Sequence, residues 1–295
     1  MNTNQPITQA EFQALAQPVE EAKREIQKCL MTQQRSRKQP VFGLITALKL
    51  LMLPVPRNHS LNNNVHVCSP TKTKRSCVKG TTYHTFVAAS SIKEIRIDDE
   101  TTVLITDEIT TCVQMASFCS KEELVVILDA ISQRHRSRGA ECIQELRRRV
   151  SELRSSRGIR NLRWALQHTV PKTDSPMETR VRLLLEGSGF PRPAVNEIFV
   201  DPVTGENWHV DMSYPKLGIV IEYQGQAWHT GKRHIQLDSN RILKIQGHGC
   251  EVLTIDKEHM RTEHSRRELV GIIRRVVERK RKRNDDFLSF FPQYS

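Results

Sequence analysis

The chain has 295 residues, and its 45 Lys and Arg stand against 33 Asp and Glu, a formal net charge of +12. At roughly 150 residues per domain, this length predicts two domains, each large enough to bury a core. The basic excess favours a polyanionic partner, and hence nucleic acid, over a surface that is merely basic and soluble.

Signals for export, membrane spanning and disulfides are missing from the sequence. The N-terminal residues MNTNQPITQAEF have no basic region followed by an apolar block, and the most apolar stretch, Leu44 to Val55, contains Lys49. That stretch is also shorter than the ~20 residues needed to span a bilayer. The seven cysteines are odd in number and include no C-x-x-C pair. We therefore expect a cytoplasmic protein with reduced cysteines and no membrane or zinc partner.

The first half of the chain predicts a small mixed α/β domain. A polar segment over residues 1–40 predicts a helix from Glu11 to Met31, and the apolar text from Val41 to Val55 predicts a second helix that a proline turn ends. Four short β-branched segments then predict a small sheet: "VHVCS", "TTYHTFV", "IKEIRI" and "TTVLI". Two packed helices should follow, the second beginning at the Ser120–Glu123 capping box.

A strongly basic segment follows, from Arg134 to Arg163. Ten arginines face three glutamates there, a local charge of +7. Two interpretations carry equal weight: a solvated helix face or linker, and contact with phosphates, onto which arginine can fork.

From residue 173 the sequence alternates regularly between helical and extended patterns. The expected order is a helix in "SPMETRVRLLLEGSG", strands near Ala194–Val200, Trp208–Tyr214 and Gly218–Tyr223, a helix over 233–246, a strand in "CEVLTI", and a basic helix from about His259 to Arg283.

Two acids in this region lie within predicted strands, where a buried charge without a partner would be costly. A hairpin symmetric about Lys216 and Leu217 sets Asp211 directly opposite Glu222, with Cβ atoms about 4.5–5.5 Å apart. Two carboxylates at that distance repel, and a divalent cation between them removes the conflict. Oxygen ligands favour Mg²⁺ or Mn²⁺ over zinc.

Each acid also has a structural interpretation. Asp211 could be a hairpin edge residue, and Glu222, at the end of a buried apolar strand, could be paired with an arginine. Glu178 could simply complete a capping box with Ser175, and this is as good as a role in the site. Gln224 shares the face of Glu222 and can orient a water. For His229, function and packing are equally favoured.

Residues 173–282 resemble the PD-(D/E)XK nuclease superfamily, and within it the bacterial family of proteins similar to very-short-patch-repair endonucleases. The likeness is carried by "SPMETRVRLLL", "HVDMSYP", "IVIEYQGQAWH", "LDSNR" and "GHGCEVLTI". It implies a restriction-endonuclease-like fold, with Asp211, Glu222 and Glu178 as metal ligands. Where the family motif often has Lys, this chain has Gln224, which leaves protonation of the leaving group to water or to another residue.

The N-terminal half is similar to AbiEi-type antitoxin and regulator proteins, through "FGLITALKLLMLPVP", "TTYHTF" and "ITDEITTCVQMASFCSKEELVVILDAI". His84 matches a recurrent position of that family, although a lone histidine in a strand is more often structural. The expected organisation is an N-terminal segment (1–40), an AbiEi-like α/β domain (41–135), a basic helical linker (136–172), a nuclease-like domain (173–283) and a tail (284–295).

These observations predict a metal-dependent DNA endonuclease in which Asp211, Glu222, Gln224, Glu178 and His229 form the site. The basic final helix would hold the strand through phosphate contacts. A DNA-binding regulator with an inactive nuclease fold is the alternative, and RNA is a further substrate candidate. Double-strand cutting by one such site would argue for a homodimer.

Overall fold

The computed structural model describes residues 9–69, 78–85, 91–134, 139–153, 157–200, 204–225 and 232–290. Contacts divide the chain into two compact units, the N-terminal unit of Glu11–Lys172 and the C-terminal unit, whose main segment is Thr173–Ser295. Each combines helices with one sheet, so the predicted mixed α/β class is confirmed. None of the helices in the described ranges has both the length and the apolar character that crossing a bilayer requires.

The N-terminal unit is built on a five-stranded mixed sheet with the order β3-β2-β1-β5-β4. Its elements are α1 (Gln9–Gln34), β1 (Val41–Phe42), α2 (Leu44–Leu50), β2 (Val65–Ser69), β3 (Thr81–Thr85), β4 (Ile92–Arg96), β5 (Thr102–Thr106), α3 (Glu108–Met115), α4 (Lys121–Arg134), α5 (Gly139–Glu152) and α6 (Ile159–His168). The four predicted strand segments and the two helices after them are all present.

The helix predicted over Val41 to Val55 is wrong at both ends. Its first two residues form β1, which pairs with β2 and β5 at the centre of the sheet, and α2 ends at Leu50. Val and Phe suit a central strand. Gly43 separates strand from helix, because a Cβ there would lie 2.3 Å from the Sγ of Cys68. The side chains of Cys68 and Gln114 crowd this junction, a contact between distant segments that the apolar pattern does not record.

The basic segment contains α5 and α6, which pack against α4. On the apolar sides of these two helices, Leu146 and Leu162 are fully buried. Several of the arginines bond within this unit: Arg149 forms a 2.7 Å ion pair with Asp107, the N-cap of α3, and the guanidinium of Arg134 donates to the carbonyl of Leu51. Part of the charge therefore stabilises the unit itself.

The C-terminal unit contains a four-stranded sheet with the order β6-β7-β8-β9. Its elements are α7 (Pro176–Gly187), β6 (Ala194–Val200), β7 (Asn207–Tyr214), β8 (Ile219–Gln224), α8 (Lys232–Gly247), β9 (Glu251–Asp256) and α9 (Glu263–Phe290). The first three strands form an antiparallel meander, and β9 pairs parallel to β8. The predicted order of elements is confirmed.

Apolar residues cover both faces of this sheet. One face packs Met212 and Ile221 against α7 and α9, and the other packs Val210 and Val220 against Ile245 of α8. β8 therefore contributes to two cores, as its continuous apolar sequence predicts. Any charged group at the end of this strand is flanked by packed side chains on both sides.

Candidate metal and phosphodiester site

The hairpin of β7 and β8 has the predicted register. Its recorded pairs are Met212–Ile221, Ser213–Val220 and Tyr214–Ile219, so the two residue numbers of each pair sum to 433. A single 3₁₀ turn over Pro215–Leu217, followed by Gly218 at φ 60°, reverses the chain. The recorded ladder ends one step before the predicted pair of Asp211 and Glu222.

β7 changes its inward side at Asp211. Trp208 and Val210 belong to the core under α8, whereas Met212 and Tyr214 belong to the core under α7 and α9. Alternate residues of a regular strand share a face, so the strand must turn between Val210 and Met212.

The neighbouring strand β6 is irregular at the same level. Asn196 occupies the register position opposite Asp211 but has φ 47°, in the left-handed region, and is skipped in the ladder. Non-glycine residues seldom adopt this conformation, and asparagine is among those that tolerate it best. At these two irregularities Asp211 has no recorded ladder pair with either neighbouring strand. Its side-chain Oδ2 accepts a 2.7 Å hydrogen bond from the backbone N–H of Tyr223.

Glu178 and Asp211 form an acidic pair in which Glu178 is buried and Asp211 is half-buried. Burial, and then the negative charge of Asp211, raises the pKa of Glu178 to about 8. Burial also raises the pKa of Asp211, although the Tyr223 N–H and the charge of Arg241 oppose that rise. The charge of Asp211 therefore disfavours ionisation of Glu178, a situation that a bound cation would relieve.

The start of α7 accounts for the position of Glu178. The side chain of Ser175 caps the helix by accepting from the Glu178 N–H at 3.2 Å, and Pro176 stands at the first helical position. In a capping box, the Glu178 carboxylate would accept a hydrogen bond from the backbone N–H of Ser175. In the structure, Oε2 of Glu178 accepts instead from the backbone N–H of Asp174. Glu178 thus ties down the approach to its own helix and also faces Asp211.

Glu222 has the arginine partner that its structural interpretation anticipated. It is 7% exposed, and its Oε2 lies 3.2 Å from a guanidinium nitrogen of Arg241, on α8. The other terminal nitrogen of Arg241 donates to the carbonyl of His209 at 2.5 Å. This guanidinium therefore bridges β7 and β8 beside the acids and balances the charge of one of them.

Gln224 is half-buried at the end of β8, two residues beyond Glu222 on the same side of the strand. In the parallel register it faces Asp256 of β9. The carboxylate of Asp256 is engaged by the turn that follows, since it accepts from the N–H groups of Glu258 and His259. The remaining candidate, His229, lies outside the described residues.

Two groups at this site were not assigned roles from the sequence. Asp174 lies close enough for its charge to raise the pKa values of both Glu178 and Asp211. No sequence signal distinguishes Asp174 from an ordinary residue before a helix cap. For Arg241 a signal did exist, because an acid at the end of a buried strand requires a cation, and Arg241 is the arginine of the "LDSNR" segment on the next helix.

The residues fit a hard divalent cation in donor type, because all three candidate ligands offer carboxylate oxygens. Across the described ranges, no group of three or more His, Cys, Asp or Glu side chains is already arranged around a metal position. The arrangement is therefore an acidic pair, Glu178 and Asp211, beside a third acid held by an arginine.

Comparison with known proteins adds two relatives. The chain is 29% identical over 172 residues to the uncharacterized proteins MT2308 and Rv2248 of Mycobacterium tuberculosis, strains CDC 1551 / Oshkosh and ATCC 25618 / H37Rv. The alignment covers 58% of this chain and 60% of each relative, so it spans less than two thirds of their length. No family model matches the chain. No solved structure matches it.

Proposed function

We propose that the C-terminal unit is a restriction-endonuclease-like domain and that the protein is a Mg²⁺- or Mn²⁺-dependent endonuclease hydrolysing DNA phosphodiester bonds. The observation that carries this proposal is the acidic pair of Glu178, which is buried, and Asp211, which is half-buried and whose charge helps to raise the pKa of Glu178 to about 8. Folding alone gives no reason to bury such a pair, since it lowers stability whenever both are charged.

Glu178, Asp211 and Glu222 are the proposed ligands. When bound, the cation supplies Lewis-acid chemistry that makes water a stronger nucleophile and stabilises charge on the phosphate oxygens. Gln224, on the same side of β8 as Glu222, orients the attacking water through its amide. Because Gln224 cannot supply a positive charge, that part of the chemistry falls to another group.

Arg241 is the described cation that pairs with Glu222, and its guanidinium spans Glu222 and the carbonyl of His209. We assign it two roles: it balances Glu222 in the absence of substrate, and it donates to a phosphate oxygen when nucleic acid binds. Arginine holds its proton at all working pH values, so protonation of the leaving oxygen comes from water.

A second candidate function is a DNA-binding regulator, similar to AbiEi-type proteins, in which the nuclease fold serves as a scaffold. The Glu222–Arg241 ion pair favours this reading, because it answers one of the three acids without a metal. The presence of Gln224 where the superfamily motif often has lysine favours it as well.

Plasmid nicking separates the two candidates. The nuclease proposal expects nicking by the wild-type protein in Mg²⁺ or Mn²⁺ and its loss in EDTA and in Asp211→Asn. Duplex binding without nicking at any metal concentration would sink the nuclease and favour the regulator. Labelled DNA and RNA, digested side by side, test the substrate, and cleavage of RNA alone would overturn the choice of DNA.

A further inference from the structure

The last helix of the C-terminal unit carries a dense positive charge. Seven of the ten residues from Arg274 to Arg283 are basic, and only Glu278 is acidic. Arg275, Arg281, Lys282 and Arg283 are exposed. Arg275, Arg279, Lys282 and Arg283 line, with Glu278, one concave surface of about 440 Å³.

The apolar side of α9 is already used by the fold. Leu269, Ile273, Val276 and Val277 are buried in the core beneath the sheet. The basic side chains therefore project from a helix that is firmly packed. An amphipathic helix that lies on a membrane needs its apolar face free to enter the lipid, and this face is not free.

This basic surface lies at the end of the sheet away from the acids. Arg279 pairs with Glu251 at the start of β9, and Lys280 donates to the carbonyl of Gly249. Glu251 is in register with the first residue of β8, whereas Glu222 is three residues further along that strand. Three residues of a strand span about 10 Å, and the helix continues beyond Lys280 in the direction away from Glu222.

The cations of this surface differ in whether they form hydrogen bonds or ion pairs within the folded unit. Arg274 donates to the carbonyl of Ser188, and Arg279 and Lys280 are tied to the start of β9. Arg275, Arg281, Lys282 and Arg283 bond to no side chain or backbone group in the described part of the chain. Among the described residues, no contact of the folded unit therefore depends on their charge.

We propose that the exposed basic face of α9, formed by Arg275, Lys282 and Arg283, is a second nucleic-acid contact, which binds the phosphate backbone of a DNA duplex apart from the carboxylate site. Arg275 and Arg283 are eight residues apart, about 12 Å along the helix, a length that spans about three phosphates of one strand. The inference rests on the proposed function only in taking DNA as the polymer that is bound. Contact at α9 requires neither a metal nor cleavage.

The test measures the affinity of the protein for a 20-base-pair duplex of arbitrary sequence in EDTA. Binding is monitored by fluorescence anisotropy at NaCl concentrations between 50 and 200 mM. The variant Arg275→Glu/Lys282→Glu is compared with Lys23→Glu/Arg24→Glu, an equal charge change on exposed residues of α1. We expect the α9 variant to lose roughly tenfold in affinity at low salt and to reduce the salt slope by about 2, and the α1 variant to stay near wild type.

Equal affinity and slope in the α9 variant and wild type would overturn the proposal, as would an equal loss in the α1 control. Binding to phosphatidylserine vesicles without binding to the duplex would also overturn it. Failure of the nuclease proposal looks different: duplex binding in EDTA and its dependence on α9 would persist, while metal binding and nicking would be absent.

Discussion

The two ends of the C-terminal sheet carry opposite charges in opposite surroundings. At one end, Glu178, Asp211 and Glu222 are at least partly buried, and the charge of Asp211 raises the pKa of Glu178. At the other end, Arg275 and Lys282 are exposed to solvent. Buried like charges are costly without a ligand, whereas exposed like charges cost the fold little.

This difference separates what the two ends can do. The acidic end brings carboxylate oxygens together, the donor type that suits a small divalent cation. The basic end offers a row of exposed charges, which suits a long polymer and reads no sequence. The four predictions below are ordered from the largest expected effect to the smallest.

The largest effect is expected from Asp211→Asn. The substitution keeps the shape and the acceptor for the Tyr223 N–H but removes the charge that would hold a cation. We expect cleavage to fall by at least roughly a thousandfold, measured by plasmid nicking, while duplex binding stays near wild type because α9 is unchanged. Retained cutting would contradict the assignment of Asp211.

The ion pair at the acidic end should matter for stability. Arg241→Ala leaves Glu222 buried without its cation, and because Arg241 is partly exposed we expect a loss of about 1–3 kcal/mol rather than the full cost of breaking a buried pair. Urea unfolding followed by tryptophan fluorescence measures it. Adding Glu222→Gln should restore much of the loss, and an additive double variant would argue against the pair.

The pH dependence of stability should reveal Glu178. Its pKa is raised to about 8 in the folded protein, against 4.5 ordinarily, so the folded state binds the proton more tightly and stability falls as pH rises between those values. Glu178→Gln removes this titration. We expect it to raise the Tm at pH 8.5, by roughly 2–4 °C per kcal/mol regained, and to change it little below pH 4.5.

Thermal unfolding of both proteins in EDTA at the two pH values checks this expectation. A Glu178→Gln protein that loses stability equally at both would show that the carboxylate serves only as an acceptor for the Asp174 N–H.

The smallest effect is expected for the ion pair at the basic end. Arg279 is 65% exposed where it meets Glu251, so solvent screens the attraction. We expect Arg279→Ala to cost under about 1 kcal/mol, in the same urea assay used for Arg241→Ala. A loss as large as that of Arg241→Ala would remove the contrast between the two ends.

Most of the C-terminal architecture follows from the sequence because its signals are local. Ser175 and Pro176 begin α7, the turn at Pro215–Leu217 sets the register, and the apolar run of β8 shows a strand buried on both faces. These signals were enough to predict the register of the hairpin up to the Met212–Ile221 pair, one step from Asp211 and Glu222. The switch of β7 between two cores was not predictable, because it depends on Asn196 of the neighbouring strand.

The missed features depend on contacts between distant segments. The short strand β1 was predicted as helix, since only its pairing with β2 and β5 and the close approach of Gly43 to Cys68 make it extended. Arg241 could be anticipated as a type of partner for Glu222 but not as a position. Tertiary packing determines which acid the guanidinium of Arg241 contacts. The hydrophobic periodicity of the sequence contains no information about that packing.

The central claim is that Glu178 and Asp211 form a divalent-cation site. It is tested most directly by titration calorimetry with Mg²⁺ and Mn²⁺ on the wild-type protein, Asp211→Asn and the control Glu258→Gln, which changes an exposed acid of the same unit. The account predicts saturable binding in the wild type and the control, and none in Asp211→Asn. No binding in the wild type, or equal binding in all three proteins, would contradict it.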